Sequence, residues 1–441
     1  MGLYDEGTRV RVFMLGWEFP PFISGGLGTA CYGLTKALDQ LGVRVTFVLP
    51  KMVESQYATH VRLLTPQAKS RGSVRRTSTT EEMTNVSFRA IMSPLQAYAT
   101  PQTYDKKVED VLRLRRETTG SEVVQEGGNG GGEDYAGDLY REVHRYASMA
   151  MELAKGEDFD VIHAHDWMTY PAGVGVATIT GKPLVVHIHS TEFDRSGENV
   201  NQMVYNIERE GMQRATKVIA VSHLTRSIVI SRYGIPGDKV EVVYNGVERH
   251  GVWSTQPEAI KREEKVVLFL GRITMQKGPE YFLQAAKKVL DVMDNVKFVM
   301  AGSGDLMYRS VELAAQLGIG NKVLFTGFLR GDDVRRIFRM ADLYVMPSVS
   351  EPFGIAPLEA LDNDVPVIIS KQSGVSEVLR HALKVDFWDV NEMANKIVAV
   401  LKYPPLRMTL RNHGNFEVRK LRWRDAASSC LRVYEETLVP V

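Results

Sequence analysis

Two doubly wound α/β domains are predicted for this chain, and three observations predict them. Apolar runs of strand length alternate with segments of helical periodicity, the pattern of a parallel sheet covered by helices on both faces. The alternation stops near residue 249, crosses a polar stretch that carries Pro257, and restarts near 266. Turns rich in glycine or charge recur just past the strand ends, where open α/β sheets bind their ligands.

The elements follow in order. Arg11–Leu15 is a short apolar strand that runs into Gly25-Gly26-Leu27-Gly28, after which Ala30, Leu34, Ala37, Leu38 and Leu41 recur at helical spacing. Residues 43–49 read as the next strand. The segments HVRLL and NVSFRAIM alternate and read as strands of an added sheet, 106–116 reads as a helix, and 125–134 (QEGGNGGGED) as a loop. Together, residues of about 54–135 are taken as an insertion. A helix is predicted over 139–154, and strands over 160–164, 183–188, 217–221 and 240–244. Residues 249–265 read as the linker. Strands at 266–270, Val296–Ala301, 323–326, Leu343–Met346 and 366–370 then alternate with helices at 279–292, 307–317, Asp332–Met340 and 354–361. Amphipathic helices at 390–401 and 424–438 end the chain; in the last, Ala426, Cys430, Val433 and Leu438 share a stripe. That stripe needs an apolar surface beyond the second domain's own strand–helix set. The predicted division is therefore 1–248 plus the C-terminal helix 423–441 as the first domain, and 266–422 as the second.

Composition narrows the function classes. The 441 residues carry 54 Lys+Arg against 53 Asp+Glu, a net charge of +1, so no broad electrostatic case exists for nucleic acid or a membrane surface. Cys31 and Cys430 are the only cysteines, which gives no disulfide framework or zinc site and leads us to expect a reducing, cytoplasmic setting. No run is long enough to span a bilayer, and the first residues lack the apolar core of a signal segment.

Chemistry gathers at the turns. In VMPSVSEPFGIAPLEA, Glu351 stands in a loop after a strand, and Glu359, eight positions on, early in a helix. One carboxylate can reach into a crevice; the other can accept hydrogen bonds from hydroxyls or simply complement the helix dipole. Arg272 and Lys277 in LGRITMQKG suit a diphosphate, the guanidinium by planar bidentate contacts and the ammonium as a compact charge. Gly302 in AGSGD and Leu329 in GFL mark two more strand-end turns of the same domain. In the first domain, Gly25 and Gly26 allow close approach of the backbone, and the helix after them presents amides suited to an anion. The order GGLG does not meet the dinucleotide fingerprint. His163, His165, His187 and His189 flank Asp166 and Trp167 at two strand ends. Four histidines this close raise a metal reading, but alternate residues share a strand face, so packing explains them equally, and no H-E-x-x-H or Cys pattern accompanies them.

GGLG, HAHDW, His189, LGR with QKG, AGSGD and EPFGIAPLE occur in this order, and in that the chain resembles the retaining GT-B glycosyltransferases of family four, nearest to the bacterial and archaeal glycogen (starch) synthase type. The resemblance implies two Rossmann-like domains facing across a cleft and transfer of glucose, with retention, from UDP-glucose or ADP-glucose to an α-glucan. A small sugar or sugar-phosphate acceptor, as in sucrose-phosphate or trehalose synthases, is the alternative within the class; a non-catalytic sugar-nucleotide-binding protein is the alternative outside it. By resemblance, Arg272 and Lys277 grip the donor diphosphate, Glu351 contacts the donor sugar with the backbone of Phe353, Gly354 and Ile355 nearby, and Glu359 binds the ribose. His189 stands beside the anomeric carbon, Asp166 lines the acceptor side, and Gly25 and Gly26 approach the phosphates. Gly302 and Leu329 join the donor-binding turns. No metal or other cofactor is expected. Ile23 stands where glycogen synthases usually carry Lys, and Ser373-Gly374 where relatives have two glycines.

Overall fold

The computed structural model describes residues 10–19, 25–51, 63–64, 85–92, 135–248 and 264–439. Eight strands form one sheet: β1 (Arg11–Leu15), β2 (Arg44–Lys51), β3 (Leu63–Leu64), β4 (Val86–Met92), β5 (Val161–His165), β6 (Leu184–Ile188), β7 (Lys217–Ala220) and β8 (Val240–Val242), in the order β3-β4-β2-β1-β5-β6-β7-β8. A second sheet holds β9 (Lys265–Leu270), β10 (Val296–Ala301), β11 (Val323–Gly327), β12 (Leu343–Met346), β13 (Val367–Ser370) and β14 (Leu383–Val385), in the order β11-β10-β9-β12-β13-β14. All five neighbouring pairs of the second sheet are parallel, as are β1 with β2 and β5, β2 with β4, β3 with β4, and β5 with β6. Each sheet is doubly wound. The strand order reverses between β1 and β5 in the first and between β9 and β12 in the second, and those two points are where ligands of such sheets bind.

Burial on both faces explains the continuous apolar strands. Every residue of β5, β6, β12 and β13 is buried. Alternate residues of β9 feed opposite sides of the second sheet: Val267 and Phe269 pack with Phe282, Phe298 and Ile397 on one side, while Val266 and Leu268 pack with Phe338, Tyr344 and Leu358 on the other.

The strand at NVSFRAIM differs from its predicted place. It does not start a separate sheet; β4 lies parallel against β2 from Val45↔Val86 to Lys51↔Met92 and extends the main sheet. Alternation marks a half-covered strand and does not say which neighbour it pairs with. The predicted helix at 106–116, the loop at 125–134 and the linker up to 263 lie outside the described residues.

The chain forms two compact units. Met1–His187, Asn206–Val218 and Cys430–Val441 make the first; Ile188–Tyr205 and Ile219–Ser429 make the second. Among the described residues no helix is long and apolar enough to cross a membrane.

Candidate active site

In the second unit the tips of β9 and β12 carry charged residues that the sequence singled out. The chain leaves β9 through Arg272 and enters a short 3-10 turn, Met275–Lys277. Arg272 Nη2 donates to Gln276 Oε1 at 3.0 Å, and the buried Gln276 accepts the Val349 N–H on its backbone oxygen at 2.9 Å. The loop after β9 is thereby fastened to the loop after β12. Lys277 Nζ then meets Glu351 Oε2 at 2.5 Å, and Ser348 Oγ donates to the same oxygen at 3.0 Å. Glu351 is itself 7% exposed and held as backbone: its N–H donates to Gln372, and its carbonyl accepts from Gly374. A half-buried ammonium and a buried carboxylate thus stand paired at the switch point.

Glu359 lies in the first turn of the helix Ala356–Asp362. Part of its surface is open, but its carboxyl is desolvated, and with the Asp362 charge nearby its pKa is pushed up to about 7. Burial, and after it the Glu351 and Glu359 charges, raise the Tyr344 phenol well above its ordinary value. His189 follows β6 and belongs to the second unit. Desolvation drives its pKa down to about 3, so its imidazole is neutral at ordinary pH.

The glycines of these turns serve the protein's own backbone first. A Cβ on Gly302, at φ +144°, would lie 1.8 Å from the Gly271 carbonyl oxygen; one on Gly278, at φ +66°, would lie 2.2 Å from that of Pro347. Only glycine lets these loops come so close. Backbone bonds then join the tips: Gly271 N–H to Ala301, Ile273 N–H to Ser303, and Gly302 N–H to Gly327. Of the remaining expected donor contacts, Leu329 is half-buried after β11, Phe353 is buried with its carbonyl accepting from Val375, and Gly354 and Ile355 precede the Glu359 helix.

In the first unit the tips of β1 and β5 are equally organised. Asp166, 5% exposed, has φ 58° and ψ 169°, a region a non-glycine residue rarely occupies. It is locked there: its N–H donates to the His187 carbonyl at 3.0 Å, and its own carbonyl accepts from Thr169 N and Oγ1. Gly25 and Gly26 begin the helix Gly26–Gln40, and no atom lies within 4 Å of where a Gly26 Cβ would be. One residue here escaped the sequence reading. Glu18, 2% exposed, accepts the Gly28 N–H on Oε2 at 3.0 Å, so a carboxylate of the chain itself sits at the helix N-terminus. An acid just before a glycine loop was the available signal. Burial, and after it the Glu18 and Asp166 charges, raise the Cys31 thiol well above its ordinary value.

His163, His165 and His187 are fully buried on one face of β5 and β6, with a ligand-capable atom of each within 4.8 Å of the others. They are the group among the described residues that can offer three ligand atoms to a metal ion. Here they pack ring against ring, His163 on His187 with 7° between planes, and His163 Nδ1 lies 2.7 Å from the Tyr434 hydroxyl. His189, the fourth of the set, does not join them.

Comparison with known proteins gives the family and the fold. The sequence profile described as "Glycosyl transferases group 1" matches residues 254–415, and that of "Glycosyltransferase Family 4" matches 130–250. An uncharacterized glycosyltransferase of Methanocaldococcus jannaschii is 35% identical over 311 residues, 65% of this chain and 79% of that protein. D-inositol 3-phosphate glycosyltransferase 1 of Catenulispora acidiphila is 28% identical over 306 residues, 64% of this chain and 73% of that one. Among solved structures, sucrose-phosphate synthase from Thermosynechococcus elongatus superposes with a TM-score of 0.71 at 17% identity, covering 97% of this chain and 99% of that one.

Proposed function

This chain belongs to the group 1, family four glycosyltransferases with the GT-B fold, and on that premise we propose that it moves a hexose, with retention, from a nucleoside-diphosphate sugar to a small sugar-phosphate or polyol-phosphate acceptor. Family membership is coarser than the glycogen-synthase type that the motifs resemble. The curated relative named for D-inositol 3-phosphate, and a fold neighbour named for sucrose phosphate, support the phosphorylated small acceptor over an α-glucan. UDP-glucose and ADP-glucose are the donors to try first.

The observation that carries the reading is the Lys277–Glu351 pair, fastened through Gln276 to Arg272 at the strand-order switch. A donor diphosphate entering there gives Lys277 a second anionic partner. As the bond from the anomeric carbon to the diphosphate oxygen breaks, negative charge grows on the departing phosphate, and two fixed cations stabilise it. In this reading they supply what a divalent ion supplies elsewhere, and no metal is needed. Glu351 accepts from the donor sugar hydroxyls and Glu359 from the ribose. His189, neutral, stands beside the reacting carbon as a hydrogen-bonding surface rather than a cation. Asp166 is assigned to the acceptor hydroxyl.

The test is direct. The protein is incubated with UDP-glucose or ADP-glucose and, separately, inositol phosphate, hexose phosphates or glycogen, and released nucleotide and product are identified. Nucleotide release that depends on a phosphorylated small acceptor is expected. Product from glycogen alone would restore the α-glucan reading; tight donor binding with no release under any condition would make the protein a binder.

A further inference from the structure

Outside the residues already assigned stands a buried carboxylate, Asp194, 1% exposed, in the short helix Glu192–Ser196. Its Oδ2 accepts both the backbone N–H and the hydroxyl of Thr191, each at 2.7 Å, and Thr191 Oγ1 accepts the Asp194 N–H in return at 3.3 Å. That capping box uses one oxygen. The other, Oδ1, accepts from Ser350 Oγ at 2.5 Å, across 156 positions of sequence. Ser350 immediately precedes Glu351, and Thr191 lies two residues after His189. All of these residues belong to the second unit.

We propose that Asp194 is a positioning residue that joins the His189 segment to the Glu351 loop through Ser350, fixing the two groups that flank the donor sugar. The proposal rests on the donor-site reading given above. Three observations carry it. A helical cap alone needs only one carboxylate oxygen and no distant partner. A hydroxyl-to-carboxylate bond of 2.5 Å is short and of the stronger kind. Glu351, the next residue, is itself held by Ser348 and Lys277 on its Oε2. The loop is therefore held twice, at the Glu351 carboxylate and one residue earlier at Ser350, and the Ser350 bond is the one that ties it to the His189 segment. A displacement of about 1 Å in a group that orients a substrate can lower turnover by about a hundredfold.

Ser350 separates the cross-link from the cap, since it takes no part in the capping box. Ser350→Ala, Ser350→Thr, Asp194→Asn and the double variant S350A/D194N are compared in the intact protein. The readouts are kcat and KM with UDP-glucose or ADP-glucose, affinity for UDP alone, and thermal unfolding. Ser350→Ala is expected to lower kcat about tenfold or more while leaving UDP affinity within about twofold, because UDP lacks the sugar that the clamp positions. Ser350→Thr, which keeps the hydroxyl, is expected to restore most of the loss. The double variant is expected to be little worse than the worse single one, because both changes cut one link. Ser350→Ala with wild-type kcat, or fully additive losses, overturns the proposal and leaves Asp194 as a helix cap. Wild-type protein that binds neither nucleotide sugar removes the donor-site reading itself, and the proposal with it.

Discussion

Single residues show how the site stores its chemistry in conformation and protonation. Asp166 occupies a backbone region that costs of the order of 1–3 kcal/mol for a side-chain-bearing residue, and it is held there by His187 and Thr169. Asp166→Gly should therefore match or exceed wild-type stability in urea unfolding while losing activity, and Asp166→Asn should lose activity without gaining stability. A glycine variant less stable than the asparagine variant would show that the backbone carries no strain. Glu359 and His189 give a pH signature with opposite signs. Glu359 is raised to about 7 from 4.5, so the folded state binds more protons between those values. Its contribution to stability is complete below about pH 4.5 and is lost as pH rises through 7. His189 is lowered to about 3 from 6.5, so the unfolded state binds the extra proton, and stability from this group grows with pH from about 3 to 6.5. Between 4.5 and 6.5 the slopes oppose each other; above 6.5 only the Glu359 loss remains. If ionised Glu359 accepts from ribose, UDP affinity should rise about tenfold from about pH 6 to 8 as the carboxylate fills, and Glu359→Gln should flatten that rise. An unchanged profile in the glutamine variant would detach Glu359 from the nucleotide. Arg272, Lys277 and Glu351 were legible because charge beside glycine at a strand end has few structural uses. Glu18 and Asp194 were not, since their partners, Gly28 and Ser350, are set by the fold.

At the scale of elements, the loops after β9, β10 and β12 act as one piece. Their glycines hold backbone against backbone, so Gly302→Ala should lower stability by about 1–3 kcal/mol in urea unfolding, with donor affinity falling alongside. Gly320→Ala is the control: no atom lies within 4 Å of its Cβ position, and the change should stay within about 0.5 kcal/mol. Equal stability of the two variants would show that the loops can part without penalty. Because the cations of this piece are proposed to do the work of a metal, turnover should persist in excess EDTA. Complete loss, recovered with Mg²⁺ or Mn²⁺, would put the phosphate grip elsewhere. The central strands of the second sheet, β9, β10, β12 and β13, were readable almost to the residue because burial on both faces makes each a closed apolar run. The helix Pro404–Val418 was missed: its prolines suit a first turn but read equally as a break, and only Leu410, Gly414 and Val418 are buried within it. Strand β14, Leu383–Val385, with a single buried residue, offers too short a pattern to detect.

Across the whole molecule the chain divides into two compact units with two parallel-stranded sheets, and the two sheets were legible as a strand–helix pattern that stops and restarts. The membership of Ile188–Tyr205 in the second unit was not, because it depends on bonds such as Asp194 to Ser350 that no local pattern announces. A division into two units bears on ligand response. Proteins with more than one core need not unfold in a single step, and a ligand stabilises only the unit whose folded form it binds. The proposed donor groups Arg272, Lys277, Glu351 and Glu359 all belong to the second unit. UDP at about a hundred times its dissociation constant should therefore add about 2.7 kcal/mol to that unit and leave the melting of the first unchanged. Hydrogen exchange resolves the two without labels. Added UDP should slow exchange in peptides covering 270–278, 301–306 and 347–359, and leave those covering β5 and the helix Tyr170–Thr180 as they were. Equal protection of both sets would mean that the units unfold as one body. Protection confined to β5 and its following turn would place the nucleotide in the first unit and overturn the assignment of the charged pair at β9 and β12.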